Sequence, residues 1–194
     1  MKNKNLILIF IILIIFAALP AIIGFFTAGS KYIYSGVVFN PIDGYTYLAK
    51  MQIGMSGDWF FTLPYSAQPG EGRLLYPFYI TAGQIFQKIN IPVAVSFNLL
   101  RLAAFGILIY ILARLATVLF DGKSIPIGAA FLLLSVGGGL GWVLLPFGKF
   151  GADFWVAEAF PFLSGLANPH FPLALGLMVF SLLFSRLPEN GWRL

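Results

Sequence analysis

Long apolar runs alternate with polar stretches along this chain, and the lengths of the runs predict its elements. Residues 6–26 carry no charge and are interrupted only by Pro20. A helix of about 20 apolar residues crosses the ~30 Å of hydrocarbon in a bilayer. Further runs predict spans at residues 93–118, 125–147 and 171–187. The apolar core of a cleaved signal peptide has only about 7 to 15 residues, which favours an uncleaved anchor at residues 6–26 over a cleaved signal.

Polar loops separate these predicted spans. Residues 27–92 and 148–170 mix polar, aromatic, glycine and proline residues. In the first loop, Asn40-Pro41-Ile42-Asp43 is typical of a helix start, with Asn40 as N-cap and an acid in the first turn. It predicts a helix over Pro41–Met55. The apolar residues 76–89 are too few to cross and are predicted to lie as a helix in the membrane interface.

The composition of the chain, together with this pattern, indicates a membrane protein. Hydrophobic residues make up 59% of the chain and charged residues 10%, whereas soluble domains carry about 25% charged residues. We expect an all-α integral membrane fold, with about four transmembrane helices and a long outer-face loop that contains juxtamembrane interfacial helices. Residues 1–194 form a single membrane domain in this interpretation. The absence of cysteine excludes disulfides and thiolate chemistry.

The basic residues indicate orientation and lipid contact. The net charge of +5 comes from lysines and arginines that are scattered singly, which argues against nucleic acid as a partner. The positive-inside rule predicts a cytoplasmic N-terminus in a multi-pass protein of the plasma or cytoplasmic membrane, with residues 27–92 and 148–170 on the outer face. The basic residues that then fall on short cytoplasmic segments are Lys2, Lys4, Arg114, Lys123, Arg186 and Arg193.

Candidate chemistry is concentrated in the predicted outer loops. Asp43, Tyr47 and Lys50 lie four and three residues apart, which puts them on one helix face. Asp43 is a candidate general base or metal ligand, and Lys50 a candidate contact for an anionic head group. The alternative is that Asp43 only complements the positive end of its helix.

A second group of candidates lies in the other outer loop, where Asp153, Glu158 and His170 occur close together. His170 is equally interpreted as an amphipathic anchor. Arg101 is a candidate phosphate contact, and the alternative is that its side chain extends to the membrane interface. The glycine cluster at residues 137–141 resembles a phosphate-binding loop only superficially, and it predicts a close helix-packing surface or a local break.

Four short motifs follow one another along the first half of the chain. Their order resembles the beginning of the C-type glycosyltransferases (GT-C), which include the protein O-mannosyltransferases and the lipid A aminoarabinose transferases. The resemblance extends over about residues 6–187. The motifs are Asp43-Gly44-Tyr45-Thr46-Tyr47, Ser56-Gly57-Asp58-Trp59, Leu75-Tyr76-Pro77-Phe78-Tyr79 and Asn98-Leu99-Leu100-Arg101.

The resemblance implies a membrane glycosyltransferase. Such an enzyme transfers a sugar from a polyprenyl-phosphate donor to an acceptor at the outer face, in an active site built by juxtamembrane helices. It implies that Asp43 is a catalytic base or metal-site residue. We assign Tyr47, Lys50, Arg73 and Arg101 to donor binding, and the acceptor stays open.

The chain departs from the family pattern in two respects. Asn168-Pro169-His170 stand where many relatives have an acidic residue before the fourth span, so the metal site stays open, with a divalent cation as the candidate cofactor. Relatives are also several hundred residues longer, and the chain is expected to be the N-terminal part of a larger polytopic protein.

The alternative function is non-enzymatic, as a transporter fragment or a component of cell-envelope assembly. A transporter typically has ionisable residues in the middle of its spans. In this sequence the spans are apolar in their middles and the charges gather at one face, which favours chemistry at the membrane surface.

Overall fold

The computed structural model describes residues 4–63, 65–121 and 125–186. Within these ranges the regular structure is helical, apart from an isolated antiparallel bridge between Phe61 and Arg73. Three short 3-10 helices lie between α5 and α6, at Gly141–Phe147, Ala152–Phe154 and Ala157–Ala159. The α-helices are α1 (Lys4–Thr27), α2 (Pro41–Met55), α3 (Pro77–Lys88), α4 (Val93–Phe120), α5 (Ile127–Val136), α6 (Pro161–Ser164) and α7 (His170–Arg186).

Two of the described helices, α1 and α4, are long and apolar enough to cross a membrane. They have 24 and 28 residues and coincide with the first two predicted spans. The third predicted span is interrupted, because α5 ends at Val136 and residues 137–140 are not helical. The local break is therefore the alternative found at the glycine cluster. Helix α7 covers most of the fourth predicted span, and the third and fourth crossings stay predictions.

Several residues used for the sequence predictions lie outside the described ranges. They are Lys2, Lys123 and Arg193, which entered the orientation argument, and Leu187, where the fourth predicted span ends.

One compact unit comprises Leu19–Leu100 and holds α2 and α3 against each other. Gly54 and Gly83 lie at their contact, where a Cβ added to Gly54 would collide with the carbonyl oxygen of Ile80. A Cβ on Gly83 would collide in the same way with the carbonyl oxygen of Met51. The two backbones therefore approach as closely as only glycine permits. The buried side chains of this core are Met51, Tyr79, Ala82 and Phe97.

The other unit comprises Met1–Ala18 and Arg101–Leu194. In its described part, apolar side chains of α1, α4 and α5 form a core that includes Leu13, Phe105, Leu108 and Phe131. Arg101 is fully buried in the protein. Its guanidinium donates hydrogen bonds to the carbonyl oxygens of Ala17, at 3.1 Å, and of Gly165.

Candidate functional site

The start of α2 positions the first candidate residue, Asp43. Asn40 adopts a left-handed backbone conformation and Pro41 follows it at the first helical position. The Asn40 side chain does not cap a backbone N–H as we expected. Its amide Nδ2 donates instead to Asp43 Oδ2, at 2.7 Å. The exposed carboxylate of Asp43 is thereby fixed at the helix end whose free N–H groups favour a negative charge.

The ammonium of Lys50 lies between two tyrosine rings. Its Nζ is 4.3 Å from the ring centroid of Tyr47, one turn earlier on α2, and 3.7 Å from that of Tyr76. A cation over an aromatic face is attracted by the ring quadrupole. Lys50 is only 9% exposed, and no described residue accepts a hydrogen bond from its ammonium or forms an ion pair with it. Among the described residues, this buried ammonium therefore has no direct ion-pair or hydrogen-bond partner.

Burial and the charge of Asp43 shift the pKa values of two groups of this site, Lys50 and Tyr47. Burial lowers the pKa of the Lys50 ammonium, and the negative charge of Asp43 partly opposes that change. Burial also raises the pKa of the Tyr47 hydroxyl, and Asp43 and then Tyr76 raise it further. Asp43, Tyr47 and Lys50 thus interact electrostatically, as their spacing on α2 predicts.

Tyr76 reaches Lys50 from the loop before α3. Its φ is 54°, a left-handed conformation that bulky residues rarely adopt, and it precedes Pro77, where the α region is disfavoured as well. Such conformations cost about 1–3 kcal/mol and are concentrated at functional sites. The ring of Phe61 supports Tyr76 edge-on, at 5.0 Å between centroids.

A column of stacked rings supports the other side of the site. The ring of Tyr47 stacks on Tyr79 of α3, with centroids 4.7 Å apart, and Tyr79 stacks in turn on Phe97 at 6.4 Å. Tyr79 and Phe97 are almost fully buried. The position of Tyr47 beside Lys50 therefore depends on the packing of α2 against α3.

Arg73 is held near the support of Tyr76. Its backbone pairs with that of Phe61 through N–H···O bonds of 2.8 and 3.0 Å, and Phe61 carries the ring that contacts Tyr76. The guanidinium of Arg73 extends to solvent and forms an exposed ion pair with Glu71, at 3.3 Å. The structure thus places the Arg73 backbone beside the site, and gives the side chain a neighbouring carboxylate.

One interpretation of the sequence expected the Arg101 side chain to extend to the membrane interface. The structure shows a different arrangement. The side chain is buried and donates to backbone carbonyl oxygens on α1 and in the segment before α7. A buried guanidinium needs such acceptors, because an isolated charge inside a protein is costly. Its assignment to the donor phosphate stays a prediction.

The three candidates of the second loop are not gathered into one group. Oδ2 of Asp153 accepts a hydrogen bond from the Gly141 N–H at 3.0 Å. Glu158 is exposed in a 3-10 turn, and the His170 ring packs on that of Phe171, at 4.3 Å between centroids. Among the residues that the structure describes, no three His, Cys, Asp or Glu side chains are close enough to share a metal ion.

Two tyrosines of the site were not recognised as site residues from the sequence. Tyr76 and Tyr79 belong to the Leu75-Tyr76-Pro77-Phe78-Tyr79 motif, whose aromatic residues before and after a helix start were the available signal. Comparison with protein-family models, curated proteins and solved structures finds no match to this chain.

Proposed function

We propose that this protein is a membrane glycosyltransferase that transfers a sugar from a polyprenyl-phosphate donor to an acceptor at the outer face. The observation that supports the proposal is the ammonium of Lys50, which is buried between Tyr47 and Tyr76 and forms no ion pair or hydrogen bond with a described residue. A buried charge without a directly bonded partner is unfavourable. A phosphate group bound beside Lys50 would compensate it with charge-assisted hydrogen bonds.

Asp43 supplies the catalytic group in this proposal. Its carboxylate is exposed on the face of α2 that carries Lys50, and it retains oxygen lone pairs beyond the one that Asn40 occupies. It takes the proton of an acceptor hydroxyl while that oxygen bonds to the anomeric carbon of the sugar. The bond from this carbon to the phosphate oxygen breaks, and polyprenyl phosphate leaves with both electrons.

An apolar groove beside the site suits the lipid chain of such a donor. The groove has a volume of about 380 Å³ and is lined by residues of α3 and by Leu100. Its lining includes Pro77, the residue after the tyrosine that contacts Lys50. An amphiphilic ligand with its phosphate at Lys50 would therefore find an apolar surface that includes the residue next to Tyr76 in the chain.

The non-enzymatic alternative would be favoured by an ionisable residue inside a span, and Arg101 is buried within α4. Its guanidinium is engaged by the carbonyl oxygens of Ala17 and Gly165. These contacts tie segments of the chain together, as expected of a structural residue, and they give no specific support to transport.

The proposal is tested by the affinity of the protein for polyprenyl phosphate in nanodiscs. Lys50→Met should weaken binding by about 10- to 100-fold, because a hydrogen bond to a charged group contributes about 1.5–3 kcal/mol. Lys50→Arg should retain most of the affinity. Lys88→Met, which removes an exposed lysine of α3, is the matched control. Unchanged affinity in Lys50→Met, or an equal loss in Lys88→Met, would contradict the proposal.

A further inference from the structure

The loop between α1 and α2, residues 28–40, is attached to α4 by a buried side chain. Asn98 of α4 is only 6% exposed, and its Nδ2 donates a hydrogen bond to the carbonyl oxygen of Gly36, at 2.6 Å. The same nitrogen donates to the carbonyl oxygen of Ala94, one turn earlier on α4, at 2.9 Å. An amide nitrogen has two hydrogens to donate. Asn98 is therefore fixed to its own helix while it binds the loop.

The backbone of the loop rests on α4 at the same point. Gly36 is buried and has a φ of 92°, a conformation that favours glycine. A Cβ added to Gly36 would lie 2.9 Å from both the Cα and the carbonyl oxygen of Ala94. A larger residue at position 36 would therefore push the loop away from α4.

The residues on both sides of Gly36 contact the beginning of α2. Val37 packs against the first turn, because a Cβ added to Gly44 would lie 2.5 Å from Cγ1 of Val37. On the other side of Gly36, the Ser35 hydroxyl donates a long hydrogen bond of 3.4 Å to the hydroxyl oxygen of Tyr45. The part of the loop that Asn98 binds is thus the part that touches α2.

Asp43 lies at the end of this series of contacts. The Gly44 N–H donates to the carbonyl oxygen of Asn40 at 3.0 Å and closes the first turn of α2. The Asn40 side chain holds Asp43 Oδ2. Because Asp43 is exposed, the position of its carboxylate depends on this turn and on Asn40, the last residue of the loop. All these contacts lie within the compact unit Leu19–Leu100.

We propose that Asn98 is a positioning residue, which holds the loop against α4 and thereby sets the position of the Asp43 carboxylate. The inference rests on the proposed function for the role of Asp43 as the base. A general base must lie within hydrogen-bond reach of the proton it takes, and a misplacement of about 1 Å can cost about 10²-fold in rate. Asn98 therefore affects catalysis without touching the substrate.

Hydrogen exchange at the Gly44 amide, measured by NMR in nanodiscs, tests the structural part of the proposal. Asn98→Leu keeps the approximate size of the side chain and removes the donor, so exchange at Gly44 should be accelerated several-fold. Ser96→Ala is the matched control, because Ser96 is also buried on α4 and bonds the carbonyl oxygen of Ile91, outside the loop. Unchanged exchange in Asn98→Leu, or an equal acceleration in Ser96→Ala, would overturn the proposal.

Val37→Ala tests the same path if Asn98→Leu does not fold. It removes only two methyl groups, from the partly buried side chain that packs on the backbone of Gly44. Exchange at the Gly44 amide should again be accelerated. If it were unchanged, the loop would not support the start of α2, and the proposal would be overturned.

The rate of polyprenyl phosphate release in native membranes tests the catalytic part. Asn98→Leu should lower kcat by about 10- to 100-fold and leave KM nearly unchanged. In the double variant with Asp43→Asn it should cost little more, because Asn98 acts through a base that is already lost. A full further loss would overturn the proposal. Wild-type turnover in Asp43→Asn alone would instead refute the proposed function, and exchange at Gly44 would still decide whether Asn98 holds the start of α2.

Discussion

The ammonium of Lys50 lies 3.7 Å from the ring centroid of Tyr76, and this contact joins the last turns of α2 to the strained start of α3. The lysine contributes charge, and the tyrosine contributes a face that tolerates the charge in a buried position. Tyr47 closes the other side at 4.3 Å. Asp43 favours the charged form of the ammonium, but no described residue forms an ion pair with it, so the ammonium is available to an anionic ligand.

The first prediction concerns the titration of this site. Asp43→Asn should lower the pKa of the Lys50 ammonium further and bring the pKa of the Tyr47 hydroxyl closer to its ordinary value of 10.0, because the charge of Asp43 raises both. The two titrations can be followed by NMR of ¹³C-labelled lysine and tyrosine, with Lys50→Arg and Tyr47→Phe for assignment. A shift of either pKa in the opposite direction would contradict the geometry.

The sign of the effect on stability follows from the same shifts. Burial makes the folded protein bind the Lys50 proton less tightly than the unfolded chain does. The contribution of Lys50 to stability should therefore rise with pH between its lowered pKa and the ordinary value of 10.5. The stability of the wild type relative to Lys50→Met should therefore increase as the pH rises through that interval, which thermal unfolding at a series of pH values measures.

The second prediction concerns the close contact of α2 with α3. Gly54→Ala and Gly83→Ala should each destabilise the protein by about 1–3 kcal/mol, because the added methyl group meets backbone atoms that cannot move aside. Thermal unfolding in detergent measures the loss. Binding of polyprenyl phosphate should weaken as well, since the position of Tyr47 depends on this packing.

Gly106→Ala is the matched control for these variants. Gly106 is also helical, but a Cβ there would meet its nearest neighbours at 3.8 and 3.9 Å, which is ordinary contact. This substitution should leave stability unchanged or raise it slightly, because alanine favours the helix. If Gly106→Ala and Gly54→Ala lost the same stability, the loss would come from replacing any helical glycine. The close contact of α2 with α3 would then not explain it.

Local patterns in the sequence predicted α2 more successfully than the contacts made around it. The Asn-Pro start and the Ser-Gly end of α2 gave its bounds, and the spacing of four and three placed Tyr47 and Lys50 together. Tyr76 was missed, because the residue before a proline is ordinarily extended, and its left-handed conformation depends on tertiary packing. That packing places Tyr76 between Lys50 and Phe61.

The third predicted span shows what a hydropathy pattern cannot predict. Residues 125–147 form one apolar run, and hydropathy alone cannot locate an interruption inside such a run. The glycines allowed a break without requiring one. At the break, the carboxylate of Asp153 accepts a hydrogen bond from the Gly141 N–H. Asp153 lies twelve residues after Gly141 in the chain. No pattern within the run predicts that contact.

The third prediction tests this role of Asp153. Asp153→Ala should destabilise the protein by about 1–3 kcal/mol, because the Gly141 N–H loses its charged acceptor. Asp153→Asn should lose less, since an amide oxygen can still accept. Hydrogen exchange at the Gly141 amide should be accelerated most in the alanine variant. Glu158→Gln, at an exposed position, is the control. If this variant also accelerated hydrogen exchange at the Gly141 amide, Asp153 would have no specific role.

The fourth prediction concerns catalysis and is measured in native membranes. Asp43→Asn should reduce sugar transfer by about 10²-fold or more, the effect of removing a general base. Asparagine has the size of aspartate and keeps an oxygen that can accept the Asn40 amide. The start of α2 should therefore survive. Release of polyprenyl phosphate, measured at equal amounts of membrane protein, gives the rate.

Two neighbours on α2 separate the loss of a base from the loss of a binding group. Tyr47→Phe keeps the ring over Lys50, so it should change the rate little, whereas Lys50→Met should raise the KM for the lipid donor more than it lowers kcat. Asp43→Asn should act mainly on kcat, with donor affinity nearly unchanged. If Asp43→Asn turned over like the wild type and lost only about 1 kcal/mol of stability, the carboxylate would be a helix cap. The glycosyltransferase proposal would then have lost its catalytic residue.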